Sequence, residues 1–357
     1  MLQNHFPADY REGRHNFIAA CEPAGAETIT RVHPSAAGPD GKSLFIDCAL
    51  TGSRHAKKAL LLIAGTHGVE GTFGSGALTG LLRGGLVARL PQDTRLVMVH
   101  ALNPYGFAWD RRVNEGNVDL NRNFIDHKKP PKNDAYKALA DAIAPKDISA
   151  AALKQADAEL NAYAAKHGQR GLQDAMTLGQ YHFPDGLFYG GNKPAWSAMM
   201  LKDIIDEHIP DAQTLIAIDC HTGLGELGAA ELIVEDLPGT PAHSRAKKIW
   251  GDIASAETGE SLSSPLRGTL DQAFAKWRGH TKLNFAVLEM GTTSWLQTID
   301  ALRKDNWLYA HAQGKSPMSA KIRKAMRDAF APDDAGWRKK AFAAAEKTVA
   351  AAVGALS

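Results

Sequence analysis

The order of apolar runs and helical patterns predicts an α/β protein, a sandwich built around a largely parallel sheet. Short apolar runs bounded by turn residues recur at 43–50, 59–64, 95–100, 214–219 and 285–289, as expected of buried strands. Helical patterns lie between them, at 74–83, 196–207 and 243–258. Strands alternating with helices imply a sheet with helices packed on it. A length of 357 residues exceeds an average domain of about 150, but α/β enzymes commonly run longer as one unit.

Two regions differ in composition. Residues 130–180 begin KKPPKND and continue as an Ala-rich, charged helical stretch that includes 150–167. This is expected to be a helical insertion. The tail, about 316–357, is helical too, with Ala and aromatic residues at helical spacing over 337–353 and Lys and Arg on the other face. Both are expected to pack on the sandwich, so that residues 1–357 form a single catalytic domain.

Bulk composition narrows the function. Hydrophobic residues make up 44% and charged residues 22%, ordinary for a globular protein. A net charge of +2 gives no reason to expect nucleic acid or an anionic membrane as partner. Cys21, Cys48 and Cys220 include no CxxC, which fits a reducing compartment. The first residues, MLQNHFPADYREGR, lack an apolar signal-like core, and the densest apolar stretch, 59–64, is far short of a membrane span. A cytoplasmic protein is expected. Residues 36–43 end in GKS, but Ala36 replaces the first Gly of a phosphate-binding loop and a strand follows in place of a helix.

Four segments carry chemistry. In ALLLIAGTHGVEG, residues 59–71, a buried strand runs into a Gly-rich turn holding His67 and Glu70. Ligands of open α/β sheets bind beyond the carboxyl ends of strands, and a His and a carboxylate three apart in such a turn can reach one metal ion. Catalytic zinc takes three protein ligands and keeps one position open. TLIAIDCHTG, residues 214–223, supplies a third in His221. Side chains alternate along a strand, so Asp219 shares its face and Cys220 points away. Asp219 is therefore placed to orient His221 or a neighbouring ligand.

NPYGFAWDRRVNEGNVDLNRNF, residues 103–124, is dense in Asn and Arg directly after a strand. Arginine suits bidentate carboxylate binding and a developing oxyanion. The apolar residues of VDLNRNF imply that Arg122 is partly buried and needs an acidic partner or ligand. Finally, NFAVLEMGT, residues 284–292, delivers Glu289 at the end of an apolar strand. Desolvation there raises a carboxyl toward the range of a general base.

Together, in this order, the four segments resemble the zinc metallocarboxypeptidase superfamily, which includes carboxypeptidase A-type peptidases and the aspartoacylase/succinylglutamate desuccinylase branch. Its order of HxxE, Arg, Asn-Arg, His and Glu reads here as His67-Gly-Val-Glu70, Arg112, Asn121-Arg122, His221 and Glu289. NPYGF followed by VDLNRNF is the most specific part, and the resemblance covers roughly 60–125 and 214–292. GQYHFPDGLFYGGNKPAWS, residues 179–197, is similar to a branch catalogued only as a domain of unknown function.

The resemblance implies a three-layer α/β/α sandwich with a mixed, largely parallel sheet. It implies one zinc ion per chain, held by His67, Glu70 and His221, with Glu289 as general base for water. Arg112 would polarise the scissile carbonyl, and Asn121 and Arg122 would clamp a substrate carboxylate. Arg111 is adjacent and exchanges with Arg112 on a one-residue slip. The substrate would be a small carboxylate-bearing peptide or, in a deacylase of aspartoacylase type, an N-acyl amino acid. A non-catalytic zinc-binding protein is a third reading. One departure stands out: carboxypeptidase A-type enzymes carry a Tyr between the third ligand and the Glu, and residues 222–288 contain none. Tyr309, Tyr181 and Tyr189 are the nearest substitutes, and Tyr189 is placed among the expected substrate contacts.

Overall fold

The computed structural model describes residues 5–357. Its centre is an eight-stranded mixed sheet. The strands are β1 (Glu27–Ala37), β2 (Ser43–Thr51), β3 (Lys58–Ala64), β4 (Thr94–His100), β5 (Thr214–Thr222), β6 (Ala230–Val234), β7 (Ala254–Ser255) and β8 (Lys282–Met290). Their spatial order is β1-β2-β4-β3-β5-β8-β6-β7. The inner strands β4, β3, β5 and β8 are mutually parallel. Antiparallel pairing adds β2 at one side and β6 at the other.

The five expected strands are those whose residues are buried on both faces, which makes them continuous apolar runs. The others have another character. β1 is a largely exposed edge strand of mixed sequence, β6 carries a glutamate within five residues, and β7 is two residues long.

Alternation along the inner strands splits the core in two. Leu60, Leu62, Ile216, Ile218, Leu288 and Met290 face one side. The helices Tyr10–Cys21, Gly71–Arg83 and Ala335–Leu356 cover it. Leu61, Ile63, Leu215, Ala217 and Phe285 face the other, under Trp196–His208 and Leu270–Trp277. The helix expected over 243–258 is Pro241–Trp250; it stops at Gly251, whose φ of 76° ends the helical path. The charged helix of the 130–180 region begins at Ala150 as expected. It runs on to Thr177 through a break at Gly168.

A third apolar cluster lies beyond the sheet. It joins Tyr136, Leu160, Leu172 and Met176 of the inserted helices to Leu302, Met326 and Phe330 near the C-terminus, and it reaches Val69 of the HxxE turn. Insertion and tail thus roof the carboxyl ends of the parallel strands. Among the described residues no helix is long and apolar enough to cross a membrane. All three cysteines are buried and unpaired.

The HxxE turn is docked tightly. Gly68 N–H donates to the Arg112 carbonyl at 3.0 Å and Val69 N–H to the Arg111 carbonyl at 2.8 Å. A Cβ on Gly68 would overlap the backbone of Gly106 and Phe107. Gly68→Ala is therefore expected to cost about 1–3 kcal/mol of stability through overpacking. It should also weaken metal binding by displacing His67 and Glu70. Thermal unfolding and zinc titration of the variant check both.

Candidate active site

Three adjacent parallel strands deliver the site. His67 follows β3 and opens the short 3₁₀ turn Gly68–Glu70. His221 lies near the end of β5, and its Cα partner on β8 is Glu289. His67, Glu70, His221 and Glu289 are all buried.

The ring nitrogens converge. His67 Nδ1 lies 2.9 Å from Glu70 Oε1, His221 Nδ1 lies 3.0 Å from Glu70 Oε2, and the two Nδ1 atoms are 3.1 Å apart. One ligand atom from each of the three residues fits within 4.8 Å of the others. The opposite nitrogens are braced by buried carboxylates. His67 Nε2 lies 3.1 Å from Asp119 Oδ1 and His221 Nε2 lies 2.7 Å from Asp219 Oδ2. Thr66 Oγ1 in turn donates to both oxygens of Asp219, at 2.8 and 3.0 Å. Carboxylates that orient metal-bound imidazoles in this way fix ring rotation and raise ligand basicity.

This arrangement fits a divalent cation. Two imidazole nitrogens cannot both donate to each other, so facing Nδ1 atoms waste lone pairs unless a cation takes them. Electrostatics point the same way. Burial would lower the His221 pKa, yet Asp219 and Glu70 hold it well above the ordinary histidine value. Burial would raise Glu70, but the adjacent His67 and His221 hold it below the usual carboxylate range. The pocket favours positive charge between these groups. The donor set of two imidazoles and a carboxylate suits zinc.

Asp119 was not singled out in the sequence, although it sits inside VDLNRNF between two buried apolar residues. It organises much of the site. Besides bracing His67, it accepts from the Arg112 Nε at 3.1 Å and from the Asn121 N–H at 3.0 Å. Despite burial, the Arg112 and His67 charges keep its pKa well below the usual range. Arg112 Nη1 also donates to Glu70 Oε1 at 3.2 Å. The arginine is thus pinned at two points beside the ligand set.

A cavity opens at this centre. His67, Glu70, Arg112, His221 and Glu289 line it, together with Asn121 and Arg122. Asn121 Oδ1 accepts from Leu270 N–H at 2.9 Å, which leaves the amide donors for a ligand. Arg122 donates from Nε to Thr177 O and from Nη1 to Asn121 O, at 2.9 and 2.8 Å. An acidic partner or ligand was expected for it; these carbonyls take the direct hydrogen bonds, the Asp119 charge acts on it through space, and Nη2 remains for a ligand. Glu289 Oε1 accepts from Leu224 N–H at 3.0 Å. Burial and the Glu70 charge push the Glu289 carboxyl up to about 8.

Two expected substrate contacts do not reach the cavity. Arg111 donates to Asp305 at 3.1 Å and to Asn117 at 3.2 Å, with its guanidinium 3.8 Å from the centre of the Tyr309 ring. Its neighbour Arg112 takes the cavity side. Tyr189 gives only its carbonyl, which accepts from Asp119 N–H at 2.8 Å, and the preceding Phe188 lines the cavity instead. Tyr181 donates to the Arg122 carbonyl at 2.7 Å. No tyrosine lines the cavity among the described residues.

Two outcomes follow for metal binding. His221→Ala should cut zinc affinity by at least about 100-fold, since it removes a ligand. Asp119→Asn should cut it by about 10–100-fold, since it loosens the brace on His67. Calorimetric titration of each purified variant, with bound metal counted by elemental analysis, measures both.

The profile of a family described as "Protein of unknown function (DUF2817)" matches residues 6–344. No curated protein matches the chain significantly. Among solved structures, the chain is similar to a carboxypeptidase A from Helicoverpa armigera, with 12% identity over 91% of this chain and 74% of that one, at a TM-score of 0.46. It is similar to bovine thrombin-activatable fibrinolysis inhibitor in complex with tick carboxypeptidase inhibitor, with 12% identity over 99% of each chain and a TM-score of 0.47. It is also similar to a succinylglutamate desuccinylase from Chromobacterium violaceum, with 15% identity over 85% of this chain and 75% of that one, at a TM-score of 0.38. With nearly its whole length matched by one profile, the chain belongs to the DUF2817 family.

Proposed function

We propose that the chain is a zinc-dependent hydrolase that cuts an amide bond next to a carboxylate, as metallocarboxypeptidases do. The observation that carries this reading is the meeting of His67 Nδ1, Glu70 and His221 Nδ1 on a cavity wall shared with Glu289. His67, Glu70 and His221 would hold the ion, which when bound supplies Lewis acidity and makes water a competent nucleophile near neutral pH.

The chain's own residues do the rest. Glu289 sits beyond the ligand set and takes the proton from the attacking water, then returns it to the leaving nitrogen. Burial raises this carboxyl above the usual carboxylate range and so strengthens it as a base, and the positive charge of a bound ion would favour the ionised form that accepts the proton. Arg112, held by Glu70 and Asp119, presents a fixed cation to the negative charge that develops on the carbonyl oxygen. Arg122 Nη2 and the Asn121 amide bind the substrate carboxylate.

A second reading of the same centre is an N-acyl amino acid deacylase, which shares the site and differs in substrate. A panel of C-terminal dipeptides and N-acyl amino acids, assayed with and without chelator, separates the two. Zinc bound with no hydrolysis across the panel would instead leave a non-catalytic zinc protein.

Glu289→Gln is expected to retain one zinc per chain while kcat falls by at least about 100-fold. Near wild-type turnover would remove Glu289 from the mechanism. Arg122→Ala should raise KM for carboxylate substrates by about 10–100-fold, the worth of a charge-assisted hydrogen bond. The matching carboxamide substrate should show little further loss, and steady-state kinetics on the pair decides it.

A further inference from the structure

Phe188 departs from ordinary backbone geometry. Its φ is 53°, in the left-handed region that a bulky side chain rarely adopts. Such a conformation persists only where the surroundings impose it. Here hydrogen bonds pin the chain on both sides. Gln180 N–H donates to the Phe188 carbonyl at 3.1 Å, and Gly190 N–H donates to the Gln180 carbonyl at 2.9 Å. Asn117 Nδ2 donates to the Gly186 carbonyl at 3.1 Å. Held this way, the turn sends the Phe188 side chain into the cavity while Tyr189 gives its carbonyl to Asp119 N–H.

The ring meets two cations there. The guanidinium carbons of Arg112 and Arg122 lie over it, 5.6 and 5.7 Å from its centre, within reach of a cation–π attraction. Phe188 is 5% exposed, so water screens this attraction little. Burial disfavours the charge on Arg122 and the nearby Arg112 cation adds to the penalty, while the Asp119 carboxylate opposes both. That carboxylate accepts directly from Arg112, whereas the direct hydrogen bonds of Arg122 go to carbonyls. The electron-rich surface of one aromatic ring is therefore common to both guanidiniums.

We propose that Phe188 is a positioning residue that holds the guanidiniums of Arg112 and Arg122 in place through cation–π contacts with its single ring. The two arginines have different tasks, one at the reacting carbonyl and one at the substrate carboxylate. Fixing both on one rigid ring sets the spacing between those two points, which a substrate must match. The role in turnover rests on the hydrolase reading; the contact itself does not. Phe188 also belongs to the third apolar cluster, and packing there depends on the shape of the ring but not on its electron distribution.

Pentafluorophenylalanine installed at position 188 keeps the shape of the ring and reverses its quadrupole, so it separates the two roles. The zinc-loaded protein is prepared with isotope-labelled arginine, and solvent exchange of each Nε–H is followed by NMR. The fluorinated ring is expected to speed exchange at Arg112 and Arg122 by about 2–30-fold, the worth of a cation–π contact from exposed to desolvated. Arg111, held by Asp305, is the internal control and should not change. Phe188→Leu should act in the same direction and Phe188→Tyr, which keeps the ring, should not. Exchange at Arg112 and Arg122 that ignores fluorination overturns the proposal, and so does a response of equal size at Arg111. In hydrolysis, the fluorinated protein should keep its zinc while kcat falls and KM for carboxylate substrates rises. Faster exchange at both arginines with hydrolysis unchanged, or with none in any form of the protein, would uphold the positioning role and count against the hydrolase reading alone.

Discussion

Everything at the centre depends on holding two imidazoles with their Nδ1 atoms turned toward one glutamate. Left alone, such an arrangement is unfavourable, because the rings must give up solvent and neither can satisfy the other. Two buried carboxylates impose it. Asp219 grips the far nitrogen of His221 and Asp119 grips that of His67. Each is itself tied down, Asp219 by Thr66 and Asp119 by Arg112 and the Asn121 backbone. The negative charge gathered there has its natural counterpart in a divalent cation.

The scaffold places these groups by joining two kinds of element. Parallel strands bring His221 and Glu289 into neighbouring register and end β3 at the HxxE turn. Loops supply what the strands cannot: Asp119, Asn121 and Arg122 come from an irregular segment whose path is set by contacts with residues far along the chain. Asn123 donates to the Gly190 and Lys193 carbonyls, and Asp119 receives its backbone partner from Tyr189. The inserted helix reaches over as well. Arg170 donates to the Ser261 and Ser263 carbonyls and Gln173 to that of Leu262, fastening the 256–268 segment that borders the cavity.

Legibility in the sequence followed burial. Strands covered on both faces read as uninterrupted apolar runs, and all five such runs are strands. The exposed edge strand β1 and the short β6 and β7 carry no such pattern. Arg111 and Arg112 show the same limit at the site. As neighbours of one type they differ in role only through which way each side chain leaves the backbone. Asp305 and Tyr309, nearly two hundred residues away, hold Arg111 outside the cavity.

The sequence by itself determined the parallel core, the HxxE turn, the histidine and glutamate at strand ends, and the Asn-Arg pair, because strand periodicity and turn chemistry are local. Only the tertiary structure decided that Asp119 braces His67, that Arg112 and not Arg111 faces the cavity, and that Phe188 lines it in place of Tyr189. Those facts depend on which distant segments touch. Spacing along the chain does not encode such contacts; the packing of loops against the sheet creates them.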